Sequence, residues 1–137
     1  MTERYLADTS ALVRFFSGQI GAEWDQAVSS GLVGICEPVR QEYLCAVGGR
    51  PAYYEAAGLL HEIFPFYAMP DSCWTESAAL QERLAEASRH QSAGPVDLLV
   101  AVTATHHKLT VLHADADYDT IATLTGQPAR RIDRSTG

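Results

Sequence analysis

The sequence predicts an α/β/α sandwich built on a central, mostly parallel sheet of four to five strands. Three observations predict it. Short apolar, β-rich runs alternate along the chain with stretches whose apolar residues recur at the helical period, the pattern of a parallel, doubly wound sheet. One helical stretch, Leu98-Leu99-Val100-Ala101-Val102, is apolar all round, and such a helix needs cover on every side. The 137 residues, 47% hydrophobic and 20% charged, suit one domain, and residues 1–137 are expected to form a single unit with a real core.

The first strand is read in Tyr5-Leu6-Ala7, ending on Asp8-Thr9-Ser10. A helix follows to Ser17, with Leu12, Val13, Phe15 and Phe16 on its apolar face and Gly18 as its stop. A second helix is expected over residues 21–30. Leu32-Val33-Gly34-Ile35-Cys36 reads as a buried strand, and Glu37-Pro38 opens a helix carrying Glu42 with proline at its first position. Arg50-Pro51 begins a helix to about Ile63, and Phe64 to Met69 looks like another strand. Pro70-Asp71-Ser72 opens a long amphipathic helix in which Trp74, Ala78, Leu80, Leu84 and Ala87 supply the apolar positions. After the loop Gln91 to Pro95, the apolar helix runs from Val96 to His107 with Asp97 in its first turn. Leu109 to Leu112 is the next strand, His113 to Asp117 a turn, Tyr118 to Leu124 a helix and Ala129 to Ile132 a last strand.

Composition narrows the function. The formal charge of −7 argues against a protein that coats nucleic acid, though not against a nuclease, whose acids and metals work together. No apolar run approaches the ~20 residues needed to span a bilayer, so no membrane role is expected. The start of the chain shows no export signal, which makes the cytoplasm the expected compartment. Cys36, Cys45 and Cys73 form no Cys-x-x-Cys pair, so neither a disulfide framework nor a zinc knuckle is expected.

Four acids share one kind of address. Asp8 ends the first strand, Glu42 lies on the helix after the second, Asp97 opens the buried helix and Asp115 follows the strand at 109–112. In an open parallel sheet, ligands gather outside the carboxyl ends of the strands. Carboxylates brought together there repel unless a cation joins them, and Mg²⁺ or Mn²⁺ takes oxygen ligands. The chemistry suggested is metal-assisted phosphodiester hydrolysis. Each acid also has a plainer reading. Asp8 and Asp115 can be helix caps, Asp97 can favour the positive end of its helix, and Glu42 can be a solvated helix position. Capping and metal binding are compatible, since Thr9 or Ser10 could cap while Asp8 ligates.

The segments Leu6-Ala7-Asp8-Thr9-Ser10-Ala11-Leu12, Pro38 to Leu44, Val96 to Ala101 and Val111 to Ala122 resemble the successive motifs of PIN-domain ribonucleases. More narrowly, they resemble the VapC toxins of bacterial type II toxin–antitoxin systems. The resemblance runs from Leu6 to about Pro128 and implies a PIN-like fold and Mg²⁺- or Mn²⁺-dependent cleavage of RNA, usually tRNA or rRNA. It also implies a homodimer and inhibition by a cognate VapB-type antitoxin, whose C-terminal segment would lie over the early helices. By position, Asp8, Glu42, Asp97 and Asp115 match the family's catalytic and metal-binding acids. Asp117 fits a further acid of the same motif, and Ser10, with Thr9 beside it, fits the hydroxyl near the metal. His113 stands where threonine is frequent.

Other residues carry weaker signals. His106-His107 suits a helix C-terminus better than a metal, and Arg130, Arg131 and Arg134 could touch RNA phosphate. Of the aromatics Phe15, Phe16, Trp24, Tyr43, Tyr53 and Tyr54, most should be core, with some exposed as anchors for the antitoxin. Two other classes compete: a catalytically silent PIN-like module that binds RNA or a partner, and a receiver-type phosphotransfer protein. The second is disfavoured because Asp8 lacks a second aspartate two positions on and Lys108 is the only lysine.

Overall fold

A computed structural model describes residues 2–132, the side chain of Asp117 excepted. Arg134, a candidate RNA contact by sequence, lies outside the described residues. Four parallel strands, β1 (Tyr5–Ala7), β2 (Val33–Gly34), β3 (Thr110–His113) and β4 (Ala129–Arg131), pair in the order β2-β1-β3-β4. Leu6 stands opposite Gly34 on one side and Val111 on the other, and Leu112 stands opposite Arg130. Because every strand runs the same way, Ala7, Gly34 and His113 end at one edge, and the residues immediately C-terminal to them are gathered there.

Among the described residues seven helices cover the sheet: α1 (Thr9–Phe16), α2 (Ala22–Ser29), α3 (Glu37–Cys45), α4 (Arg50–Ile63), α5 (Cys73–Glu86), α6 (Pro95–His107) and α7 (Asp117–Thr125). The core is the interior of this layering, with Leu6, Leu12, Ile35, Leu84, Val100 and Leu112 wholly buried. Residues 98 to 104 of α6 are all buried, as its all-round apolar sequence requires. It leads straight into β3 through Lys108 in the left-handed conformation at φ 58°, so its N-terminus lies back at the carboxyl edge.

Two expectations are corrected. The run Phe64 to Met69 does not form a full strand; it contributes a single parallel bridge, Phe66 beside Ile35. Pro65 has no N–H to continue a ladder, although its carbonyl accepts from Ile35 at 3.0 Å. On α5 the buried positions are Cys73, Ser77, Leu80 and Leu84. Trp74 is about one-third of a helical turn off that stripe and is 69% exposed.

The three thiols are free, Cys36 and Cys73 buried and Cys45 exposed. Among the described residues no helix is long and apolar enough to cross a membrane.

Candidate functional site

Asp8 leaves β1 in extended conformation, φ −85° and ψ 179°, and is the N-cap of α1. Its Oδ1 accepts the Ala11 N–H at 2.9 Å and the Ser10 hydroxyl at 2.7 Å. The cap is therefore Asp8 itself rather than Thr9 or Ser10. Yet the residue is only 4% exposed, unusual for a cap on a surface helix. Burial pushes its carboxyl up to about 6, against the two hydrogen bonds that favour the anion, and the charges of Asp97 and Asp115 push the same way.

Those two acids are carried by different elements. Asp97 is in the first turn of α6, partly buried, with Oδ2 accepting the Gly94 N–H at 3.1 Å. Asp115 is exposed in the turn after β3, the strand that pairs with β1. The turn is pinned: the Asp115 carbonyl accepts from His113 Nδ1 at 2.9 Å, and the Ala114 N–H donates to Ser10 Oγ at 2.9 Å. Ser10 thus ties the β3 turn to Asp8. Glu42 stands apart. It is exposed, about one and a half turns into α3, in a groove with Met69, Trp74 and Val96. Its charge is not among those that shift Asp8.

His113 is 1% exposed. Burial pulls its imidazole below the usual value, against the pull of the Asp115 carbonyl and Asp119, so the ring is neutral at pH 7. A carbonyl can only accept, which puts the proton on Nδ1 and leaves Nε2 as an acceptor 3.5 Å from Asp119 Oδ1. Histidine here braces the acid-bearing turn. Of the remaining candidates, the side chain of Asp117 lies outside the described residues. Thr9 Oγ1 is buried with no hydrogen-bond partner among the described residues.

The arrangement suits a hard cation in kind: the donors are carboxylates, and a positive charge beside Asp8 would offset both its burial and its repulsion by Asp97 and Asp115. It is not a finished cage. Among the described residues no three His, Cys, Asp or Glu side chains stand close enough to hold an ion unaided. A cation that keeps several waters fits such an open set better than one enclosed by protein.

A PIN-domain family model matches residues 5–124. The chain belongs to the PIN-domain family. It is 38% identical over 135 residues to Ribonuclease VapC2 of Mycobacterium tuberculosis (strain CDC 1551 / Oshkosh), covering 95% of this chain and 93% of that protein. It is 29% identical over 132 residues to Ribonuclease VapC21 of the same strain, with 96% of each covered. Among solved structures, the crystal structure of VapBC2 from Rickettsia felis bound to a promoter DNA fragment superposes with a TM-score of 0.76 over 94% of this chain and 98% of that one, at 14% identity. That likeness shows the fold.

Of the weaker sequence signals in this PIN domain, the histidine pair ends α6 as expected and the two described arginines are engaged within the fold. Arg130 lies over the Trp24 ring at 4.8 Å, donates to Tyr5 Oη at 3.1 Å and approaches Glu3 at 3.9 Å, which makes it a structural clamp. Arg131 pairs with Asp119 at 3.8 Å. His107 Nε2 lies 2.8 Å from the Ala68 carbonyl, tying the end of α6 to the segment before α5. Trp24 is core at 3% exposed, whereas Phe16, Tyr53 and Tyr54 are 38%, 37% and 63% exposed. One residue without a sequence signal of its own is Tyr118, wholly buried against His113; along the chain it is one aromatic opening a helix.

Proposed function

We propose that this PIN domain is a toxin endoribonuclease that hydrolyses RNA phosphodiester bonds under the control of a cognate VapB-type antitoxin. What supports the reading is the address of three acids, Asp8 as the cap after β1, Asp97 in the first turn of α6 and Asp115 in the turn after β3, with the charges of the latter two acting on Asp8. They occur in a chain alignable along 95% of its length with a ribonuclease VapC. The candidate catalytic set is Asp8, Glu42, Asp97 and Asp115. Asp8 and Asp97 would hold Mg²⁺ or Mn²⁺, with Asp115 and Glu42 closing the set from the turn after β3 and from α3. Such a cation, when bound, acidifies a water and neutralises charge on the scissile phosphate. Ser10 orients Asp8 through its 2.7 Å bond, and His113 holds the turn that presents Asp115. By its place in the family motif, Asp117 is a further candidate acid.

The antitoxin's place is a groove between α1, α2 and the end of α4, lined by Phe15, Phe16, Val28, Ile63 and Phe64, with Asp25 and Glu62 at its rim. An apolar floor with an acidic rim suits an amphipathic segment carrying lysine or arginine. An arginine or lysine from that segment, reaching the acids, would compete with the cation. The substrate class is tRNA or rRNA, the working form a homodimer, the compartment the cytoplasm.

The decisive experiment is to incubate the purified chain with total RNA and Mg²⁺, beside an EDTA control and Asp97→Asn. Cleavage that disappears in both controls supports the reading. A wild-type chain that binds RNA but cuts none with either Mg²⁺ or Mn²⁺ replaces it with a silent RNA-binding module.

A further inference from the structure

Tyr118, the second residue of α7, is 1% exposed. Its ring packs on the His113 imidazole with centroids 5.3 Å apart and planes inclined by 33°, and its backbone N–H donates to the Asp115 carbonyl at 3.3 Å. The residue is therefore built into the turn that carries Asp115. Its phenolic oxygen is another matter: it is buried and has no hydrogen-bond partner among the described residues. A buried hydroxyl without a partner is costly, and buried polar atoms are normally satisfied. Phenylalanine would fill the same space without that cost.

The hydroxyl's surroundings explain why an oxygen is there. Burial first, and then the negative charges of Asp8 and Asp97 followed by the Cys36 thiol, hold the phenol well above its ordinary value. With its proton in place the phenol is a hydrogen-bond donor. The ring contact with His113 and the backbone bond to the Asp115 carbonyl place the residue at the carboxyl edge, against the turn after β3. Both hydrogen bonds on Asp8 end at Oδ1, so Oδ2 is the oxygen left to face a cation. Thr9 Oγ1, the next side chain along, is a second buried hydroxyl without a partner among the described residues.

We propose that Tyr118 is a positioning residue of the carboxylate site, its O–H donating to an oxygen ligand of the divalent cation held by Asp8 and Asp97. This rests on the metal-dependent function proposed for the chain. Outer donors of this kind fix ligand orientation, and their loss lowers metal affinity about 10–100-fold.

The test compares the full-length wild type with Tyr118→Phe, which removes one oxygen and leaves the ring. Mn²⁺ is titrated into each without RNA by calorimetry, melting is followed without metal, and RNA cleavage is measured with Mg²⁺. The expected result is an affinity for Mn²⁺ at least about tenfold lower, a metal-free melting temperature equal to or above wild type, and a fall in kcat with KM unchanged. Equal Mn²⁺ affinity and equal kcat in the two proteins overturn the proposal while leaving the nuclease reading intact. So does a metal-free Tyr118→Phe that melts clearly below wild type, since the hydroxyl would then be satisfied within the fold itself. A wild type that neither binds Mn²⁺ nor cuts RNA overturns both.

Discussion

Ser10 and Asp8 form the joint between the two central strands: the Ser10 hydroxyl donates to Asp8 Oδ1 at 2.7 Å and accepts the Ala114 N–H from the turn after β3 at 2.9 Å. Neither contact belongs to the sheet ladder, yet together they set how far Asp8 stands from the segment bearing Asp115. Ser10→Ala removes both at once and leaves the Ala114 N–H without its acceptor. The expected cost is about 1–3 kcal/mol of stability, read by urea denaturation, with a loss of cleavage larger than the loss of folded protein. Unchanged cleavage in the folded fraction would show that the joint does not position Asp8.

Asp8 itself is held at a cost. Its carboxyl lies at about 6 in the fold against an ordinary 3.8, so the folded chain binds the proton more tightly than the unfolded one between those values. Stability from this group is therefore present at low pH and lost as pH rises through about 6, on the order of 3 kcal/mol in all. His113 works oppositely, since its lowered value removes stability as pH falls below the usual histidine range. The two are separated by comparing variants. Asp8→Asn keeps an oxygen to accept from Ser10 and Ala11 but cannot ionise. Without metal it should be more stable than wild type at pH 7 by about 1–3 kcal/mol, and the gap should close near pH 4. Cleavage should be lost. A gap that does not vary with pH would place the cost of Asp8 elsewhere than in its charge.

The groove proposed for the antitoxin can be tested by surface substitution. Phe16 and Ile63 are 38% and 36% exposed, and Phe16 lies against Phe64 with centroids 6.3 Å apart, so the pair forms a floor that is only half covered. Phe16→Arg or Ile63→Arg should lower antitoxin affinity about 30-fold or more, the loss typical of a central apolar anchor. Cleavage by the free toxin should persist, because neither residue touches the acids. Titration calorimetry with the cognate antitoxin decides this, and full affinity in both variants would move the partner to another face.

How much of this was legible in the sequence differs from residue to residue. The layered fold was, because Leu98 to Val102 must be covered on all sides and the strands fall between helices of ordinary length. The address of Asp8, Asp97 and Asp115 was legible too, since strand ends and helix starts in a parallel sheet meet at one edge. Pair-level facts were not. That Trp74 faces outward depends on which of two adjacent stripes of α5 the core accepts. That Arg130 serves Trp24 and Tyr5 depends on β4 lying close enough to bring them together. That the Tyr118 hydroxyl is buried without a partner among the described residues is a property of its packing, and no spacing rule records it.

Gly34 is a last case of a constraint invisible along the chain. It is not in the left-handed region; the constraint comes from space. A Cβ there would run into the Tyr67 ring and lie 2.8 Å from the Pro65 carbonyl oxygen. The same carbonyl accepts from Ile35 at 3.0 Å, and Ile35 in turn accepts from Tyr67 at 2.9 Å. Gly34→Ala must therefore push residues 65–67 off the edge of β2, loosening the Ile35–Phe66 bridge and the neighbouring wall at Met69. The expected loss is about 1–3 kcal/mol, with faster amide exchange at Tyr67 than at Leu6. Gly58 provides the contrast. It lies within α4 with nothing inside 4 Å of a Cβ, and Gly58→Ala should raise stability by about 0.5–1 kcal/mol through helix propensity alone. A Gly34→Ala that melts no lower than wild type would refute the close packing of the 65–67 segment on Gly34.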